Sequence, residues 1–155
     1  MRRPPDRARH ERSAPAAFLE AEAALRNGEV LIVAPQGTIP RGEAFFDPHL
    51  RGRSGAARLA AAAGAPVIPV GVWGTEKVWP RSSRVPNVTS VLHPPTVRVR
   101  VGPPVAGLTG GDVTADTETV MSAIRDLLPA EARLPRIPTA EELVRSMPPG
   151  WREAK

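Results

Sequence analysis

The chain has 155 residues, no cysteine, 41% apolar and 4% aromatic residues, and a net charge of +5. That length permits one domain with a core of its own, and the missing cysteines exclude disulfides and make the reducing cytoplasm the default compartment. No apolar run approaches the ~20 residues of a membrane-spanning helix, so any membrane contact is expected to be peripheral, at the inner face of the membrane.

Residues 1–12 are basic and proline-containing, with Arg2, Arg3, Arg7, Arg9 and Arg12 close together. They read either as an arm that touches anionic lipid or nucleic acid, or as a severed strand end. A helix is expected from Ser13 to Asn27, capped by Ser13, with Pro15 in its first turn and Gly28 as its stop. Phe18, Ala21 and Leu25 form its apolar stripe, and Glu22 and Arg26 an i,i+4 pair. The continuous apolar run Glu29–Ala34 predicts a strand buried on both faces. A loop from Pro35 to Arg53 follows and holds Phe45-Phe46, which either plug the core, the commoner outcome, or face an acyl chain.

Ser54–Ala63 predicts a second helix that packs closely through Ala56, Leu59, Ala60 and Ala63 and ends at Gly64. Val67–Trp73 predicts a strand in which Pro66 and Pro69 remove ladder donors and stiffen a pocket wall. A compact turn spans Gly74–Pro80. In Thr96–Val101 the valines alternate with Arg98 and Arg100, as in an edge strand with the arginines solvated. A helix from Thr114 to Leu128 buries Val120, Met121, Ile124, Leu127 and Leu128. A capping box of Thr139 and Glu142 opens a last short helix within the tail 129–155, which is expected to be loose from Met147 onward.

The chemistry-bearing feature is Gln36-Gly37-Thr38, set between Val30–Pro35 and the loop Ile39-Pro40-Arg41-Gly42. A turn at the tip of an apolar strand offers polar side chains and, at the glycine, close approach of the backbone to a ligand.

The ordered blocks Asp6-Arg7, Ala34–Ile39 and Ala65–Val70, with Arg51-Gly52 between the last two, resemble the lysophosphatidate (1-acylglycerol-3-phosphate) acyltransferase family. The family reads roughly Phe-Pro-Glu-Gly-Thr-Arg where this chain has Ala34-Pro35-Gln36-Gly37-Thr38-Ile39, so the Glu becomes neutral Gln36 and the Arg becomes Ile39. The resemblance spans residues 6–102. It implies an α/β fold with a mainly parallel sheet flanked by helices, occupying residues 13–128. It implies that Arg7, Gln36, Gly37 and Thr38 bind the acceptor's phosphate, and Arg41 is placed with them as a substitute for the lost Arg.

The family's catalytic base is a His followed, after four residues, by an Asp. Here His10, His49 and His93 are followed at that spacing by Pro15, Ser54 and Arg98, so no catalytic residue is assigned. Five residues precede Asp6, which implies a domain that begins after its own catalytic dyad and leaves a sheet edge exposed. The expected function is acyl transfer from acyl-CoA or acyl-carrier protein to a lysophosphatidate-like acceptor in phospholipid synthesis, with no cofactor or metal and little activity in this chain alone. The partners are then the acyl donor, the glycerolipid acceptor and a membrane surface. The alternative is a non-catalytic anionic-lipid or phosphate-binding module. A nucleic-acid partner is not expected, because no aromatic platform interleaves with the arginines.

Overall fold

A computed structural model describes residues 7–86 and 94–151, with side chains from Pro15 onward in the first helix. That helix, α1, runs Arg7–Arg26. It begins six residues before Ser13, so residues 7–12 are helical rather than an arm or strand end. The physical reason is composition: Arg7, Ala8, Arg9, Glu11 and Arg12 are good helix formers, and the helix continues through Pro15 despite the backbone donor it lacks. Asp6 and the arginines at 2 and 3 lie outside the described residues.

Phe18, Ala21 and Leu25 are half-buried along the expected stripe. Arg58 of the next helix stands 5.6 Å over the Phe18 ring. Arg26 pairs with Glu22 at 2.7 Å and donates to the carbonyl of Ala62 at 2.9 Å, which ties α1 to that helix.

Glu29–Ala34 departs from its expectation. It carries no ladder among the described residues, and Val30 and Ile32 are 91% and 97% exposed, where burial on both faces was expected. Burial on both faces requires strands on both sides. Here the backbone is held at the ends, where the Glu29 amide donates to Ala24 and the Arg53 amide to Pro35.

A single 3₁₀ turn, Gly42–Phe45, interrupts the following loop. Phe45 and Phe46 meet edge-to-face at 5.1 Å, and the Arg136 guanidinium lies 4.7 Å above Phe46. The rings therefore close the loop against the C-terminal segment, and neither enters the main core. Helix α2 is Gly55–Ala63, and it buries Ala57, Leu59 and Ala60.

Strand β1, Val70–Trp73, is followed by the one-turn helix α3, Thr75–Val78, and then by β2, Arg98–Val101. The two strands pair antiparallel with Val70 opposite Val101 and Val72 opposite Val99. Carbonyls of Val67 and Pro69 extend this pairing by accepting from Val105 and Gly102, so Pro69 serves as an acceptor where it cannot donate.

Cross-strand partners share a face. Ile68, Val70, Val72, Val97, Val99 and Val101 are therefore all substantially exposed, while Gly71 and its partner Arg100 face the helix side, where Leu127 sits. Arg98 and Arg100 are exposed as well, as expected of solvated arginines, so β2 is open on both faces, and Arg98 reaches the exposed Glu131 at 3.7 Å.

Helix α4, Val113–Leu127, starts one residue before its expected position because Asp112 caps it, its carboxylate accepting from Thr114 and Ala115 at 3.0 Å. Asp116 is buried in the first turn and accepts from the amides of Thr109 and Gly110 at 3.1 and 2.7 Å. α4 packs on both α2 and β1, and Val120, Met121 and Leu128 complete the core with the α2 residues.

A short α5, Ala130–Arg133, leads to α6, Ala140–Ser146, which opens with the Thr139–Glu142 capping box. α6 docks on the 3₁₀ turn, where the Gly42 amide donates to Ser146 Oγ at 2.9 Å. Met147 packs against Gly42, so the chain is still held at the point where it was expected to come loose.

Candidate functional site

The Gln36-Gly37-Thr38 segment forms a turn, closed by the Gly37 amide donating to the Ala34 carbonyl at 3.0 Å. Gly37 has φ +65°, a conformation L side chains rarely adopt, and a Cβ there would stand 2.8 Å from Cδ of Arg53. Glycine thus lets the Arg53 side chain lie across the turn. The Arg53 amide, donating to Pro35 at 2.7 Å, fixes that side chain's starting point. Gln36 is half-buried, and Thr38 and Arg41 are exposed.

A second guanidinium approaches the same turn from a distant part of the chain. Nη1 of Arg81 donates to the carbonyl of Ile39 at 3.3 Å, and its Nε is buried without a hydrogen-bond partner among the described residues. The position at which the resembled motif carries an Arg is Ile39 here, and the structure brings a guanidinium to that residue's backbone from residue 81. Arg41, the substitute expected from the sequence, instead caps the 3₁₀ turn with extended backbone and no side-chain bond. Nothing in the sequence around Arg81 announces this, because 42 positions separate it from Ile39.

The backbone of Arg7 opens α1, and the role expected of its side chain lies outside the described residues. Gln36, Gly37, Thr38 and Arg41 are thus close in chain and share one loop, with Arg53 and Arg81 added by the fold. The contacts shown are those of Arg53 with Gly37 and of Arg81 with the Ile39 carbonyl, and a guanidinium is a group able to pair with phosphate or carboxylate oxygens.

The region where α6 docks contains a strongly perturbed carboxyl, that of Glu142. Arg136 Nη1 donates to Glu142 Oε2 at 2.8 Å, and the Thr139 amide donates to the same oxygen at 2.9 Å. The bond from Arg136 is the larger cause, and together they hold the Glu142 carboxyl down at about 2.

A larger concavity of about 610 Å³ lies between the loop 49–54 and α4. Neither it nor a smaller cavity of about 270 Å³ beside Phe46 includes Gln36, Thr38 or Arg41 in its walls. Among the described residues, no helix is long and apolar enough to cross a membrane.

A family model described as Acyltransferase matches residues 3–73, somewhat less than half of the 155-residue chain. No curated protein and no solved structure matches it. The matched span runs to the last residue of β1 and includes the Gln36–Thr38 turn and Arg53, but not Arg81 or α4. Over residues 3–73 the chain is similar to the Acyltransferase family, and acyl transfer is the chemistry to which that similarity points.

Proposed function

We propose that this chain is an acyltransferase-type module of glycerolipid synthesis, with a lysophosphatidate-like acceptor and an acyl-CoA or acyl-carrier-protein donor. The observation that carries the reading is the match of residues 3–73 to the Acyltransferase family. In the proposed arrangement Arg7, Gln36, Gly37, Thr38 and Arg41 face the acceptor's phosphate, with Arg53 and Arg81 as the guanidinium groups nearest the turn. The acceptor hydroxyl oxygen attacks the thioester carbonyl, the carbon–sulfur bond breaks, and the hydroxyl proton passes to a base. This chain has no His-x4-Asp pair to act as that base, so it positions the acceptor and does not activate it.

The same reading includes a mainly parallel sheet in which Glu29–Ala34 is a paired strand. What supports that part of the reading is the sequence alone, the continuous apolar run Val30-Leu31-Ile32-Val33-Ala34.

The test combines binding with turnover. The purified chain is expected to bind lysophosphatidate and to form no measurable phosphatidate from labelled acyl-CoA. Vigorous turnover would refute the missing base, and failure to bind lysophosphatidate would refute the acceptor assignment.

A second reading, a non-catalytic anionic-lipid or phosphate-binding module, is favoured by the same missing dyad together with Arg53 and Arg81. It predicts vesicle binding that weakens with salt, and phosphatidylserine vesicles at low and high ionic strength provide the check.

A further inference from the structure

We propose that the groove between the loop His49–Ser54 and α4 is a binding site for a phosphate ester, separate from the Gln36–Thr38 turn. The groove is built by a close approach. A Cβ at Gly52 would stand 2.6 Å from Cγ and 2.8 Å from Sδ of Met121, and 2.9 Å from Cγ2 of Thr117. Only a residue without a side chain lets the loop lie this near α4. With Gly52 seated there, its neighbours take different tasks: Arg53 crosses the Gly37 turn, and Arg51 lines the groove.

Arg125 joins Arg51 in the groove from the last turn of α4, with Nη2 steadied by Ser122 Oγ at 3.0 Å. Its Nε stands 4.0 Å from Asp126, a long contact for an ion pair. His49 and Ser54 also line the walls and add a ring nitrogen and a hydroxyl. The loop backbone at His49 is held by its amide donating to Asp47 Oδ1 at 2.8 Å.

Two guanidinium groups against one carboxylate, Glu118, leave the lining with a net positive charge. The ligand that fits is an anion with several acceptor oxygens and a size well beyond a single ion, given a groove of about 610 Å³. A phosphate ester meets both requirements, since guanidinium forks engage its oxygens in pairs and hydroxyls complete the set. The groove draws Arg125, Ser122 and Glu118 from beyond the segment matched to the Acyltransferase family, so it does not rest on the function proposed above.

The test titrates the full chain calorimetrically with three probes: coenzyme A, glycerol 3-phosphate and inorganic phosphate. Binding of at least one phosphate ester is expected, weakening as salt rises. Preference for coenzyme A assigns the groove to a nucleotide phosphate ester, and preference for glycerol 3-phosphate to a small polyol phosphate. Arg51→Gln and Arg125→Gln should each weaken the preferred probe about tenfold, as loss of a charge-assisted hydrogen bond implies. Glu118→Gln should tighten it, because it removes the only carboxylate in the lining. Arg145→Gln, which touches only the exposed Glu141, should leave it unchanged. Thermal melts of each variant separate loss of binding from loss of fold.

Unchanged affinity in both arginine variants, weaker binding in Glu118→Gln, or no binding of any probe would overturn the proposal. If Arg81→Gln alone abolished binding, the anion would sit at the Gly37 turn. That result would end the groove assignment while leaving the reading of the turn intact.

Discussion

Gly52 shows how one residue positions two others. Replacing it with alanine places a methyl group against the stiff Thr117 side chain as well as Met121, and is expected to destabilise the fold by about 1–3 kcal/mol. Chemical denaturation of Gly52→Ala measures this, and a midpoint equal to the parent's would show that the loop yields freely. Glu142 makes a pH-dependent contribution of definite sign. Its carboxyl lies at about 2 in the fold against an ordinary 4.5, so the folded state holds its proton less readily than the unfolded one. The stabilisation is complete above about 4.5 and is lost as pH falls toward 2. Glu142→Gln should therefore flatten the loss of melting temperature over that window, and an unaltered acid profile would assign the loss to other carboxylates. At this scale the sequence pointed correctly to the Thr139–Glu142 box, because both partners lie within one helical turn. Arg81 was not legible, because its contact with Ile39 joins residues that only the folded chain brings together.

Elements whose signals are local emerged close to their expected bounds. α2 is closed by Gly64 after Ala63, and α4 begins at Val113, capped by Asp112, whose carboxylate accepts two first-turn amides. Asp112→Ala should cost about 1 kcal/mol through those lost bonds, read as a shift in denaturant midpoint. α1 shows the limit of local rules, since Ser13 and Pro15 resemble a start signal yet lie inside the helix. Pro15→Ala restores the missing donor and should raise stability by up to about 3 kcal/mol. A destabilised variant would mean that the proline ring packs usefully where it stands. Elements whose burial depends on neighbours fared differently. Glu29–Ala34 has the composition of a fully buried strand and lies exposed, and β2 is exposed along both its valines and its arginines.

Across the whole molecule, the core formed by Ala57, Leu59, Ala60, Val120, Met121 and Leu128 is small, and the aliphatic face of the β1–β2 sheet lies outside it. Single substitutions on that face, Val72→Lys or Val99→Lys, should change stability by less than about 0.5 kcal/mol, as is usual for surface positions. They should also raise solubility, which light scattering against concentration reports; a large loss of stability would show that the face is covered in solution. By itself the sequence determined the stop of α2 at Gly64, the capping box of α6, the alternating Val-Arg strand, the polar turn at Gly37 and the lack of a His-x4-Asp pair, because each is written within a few neighbouring residues. Only the tertiary structure decided which face of the sheet meets α4, that Arg53 and Arg81 attend the turn, and that Arg51 and Arg125 share a groove. Those relations depend on packing between segments tens of residues apart, where side-chain volume and backbone approach, rather than periodicity, set the outcome.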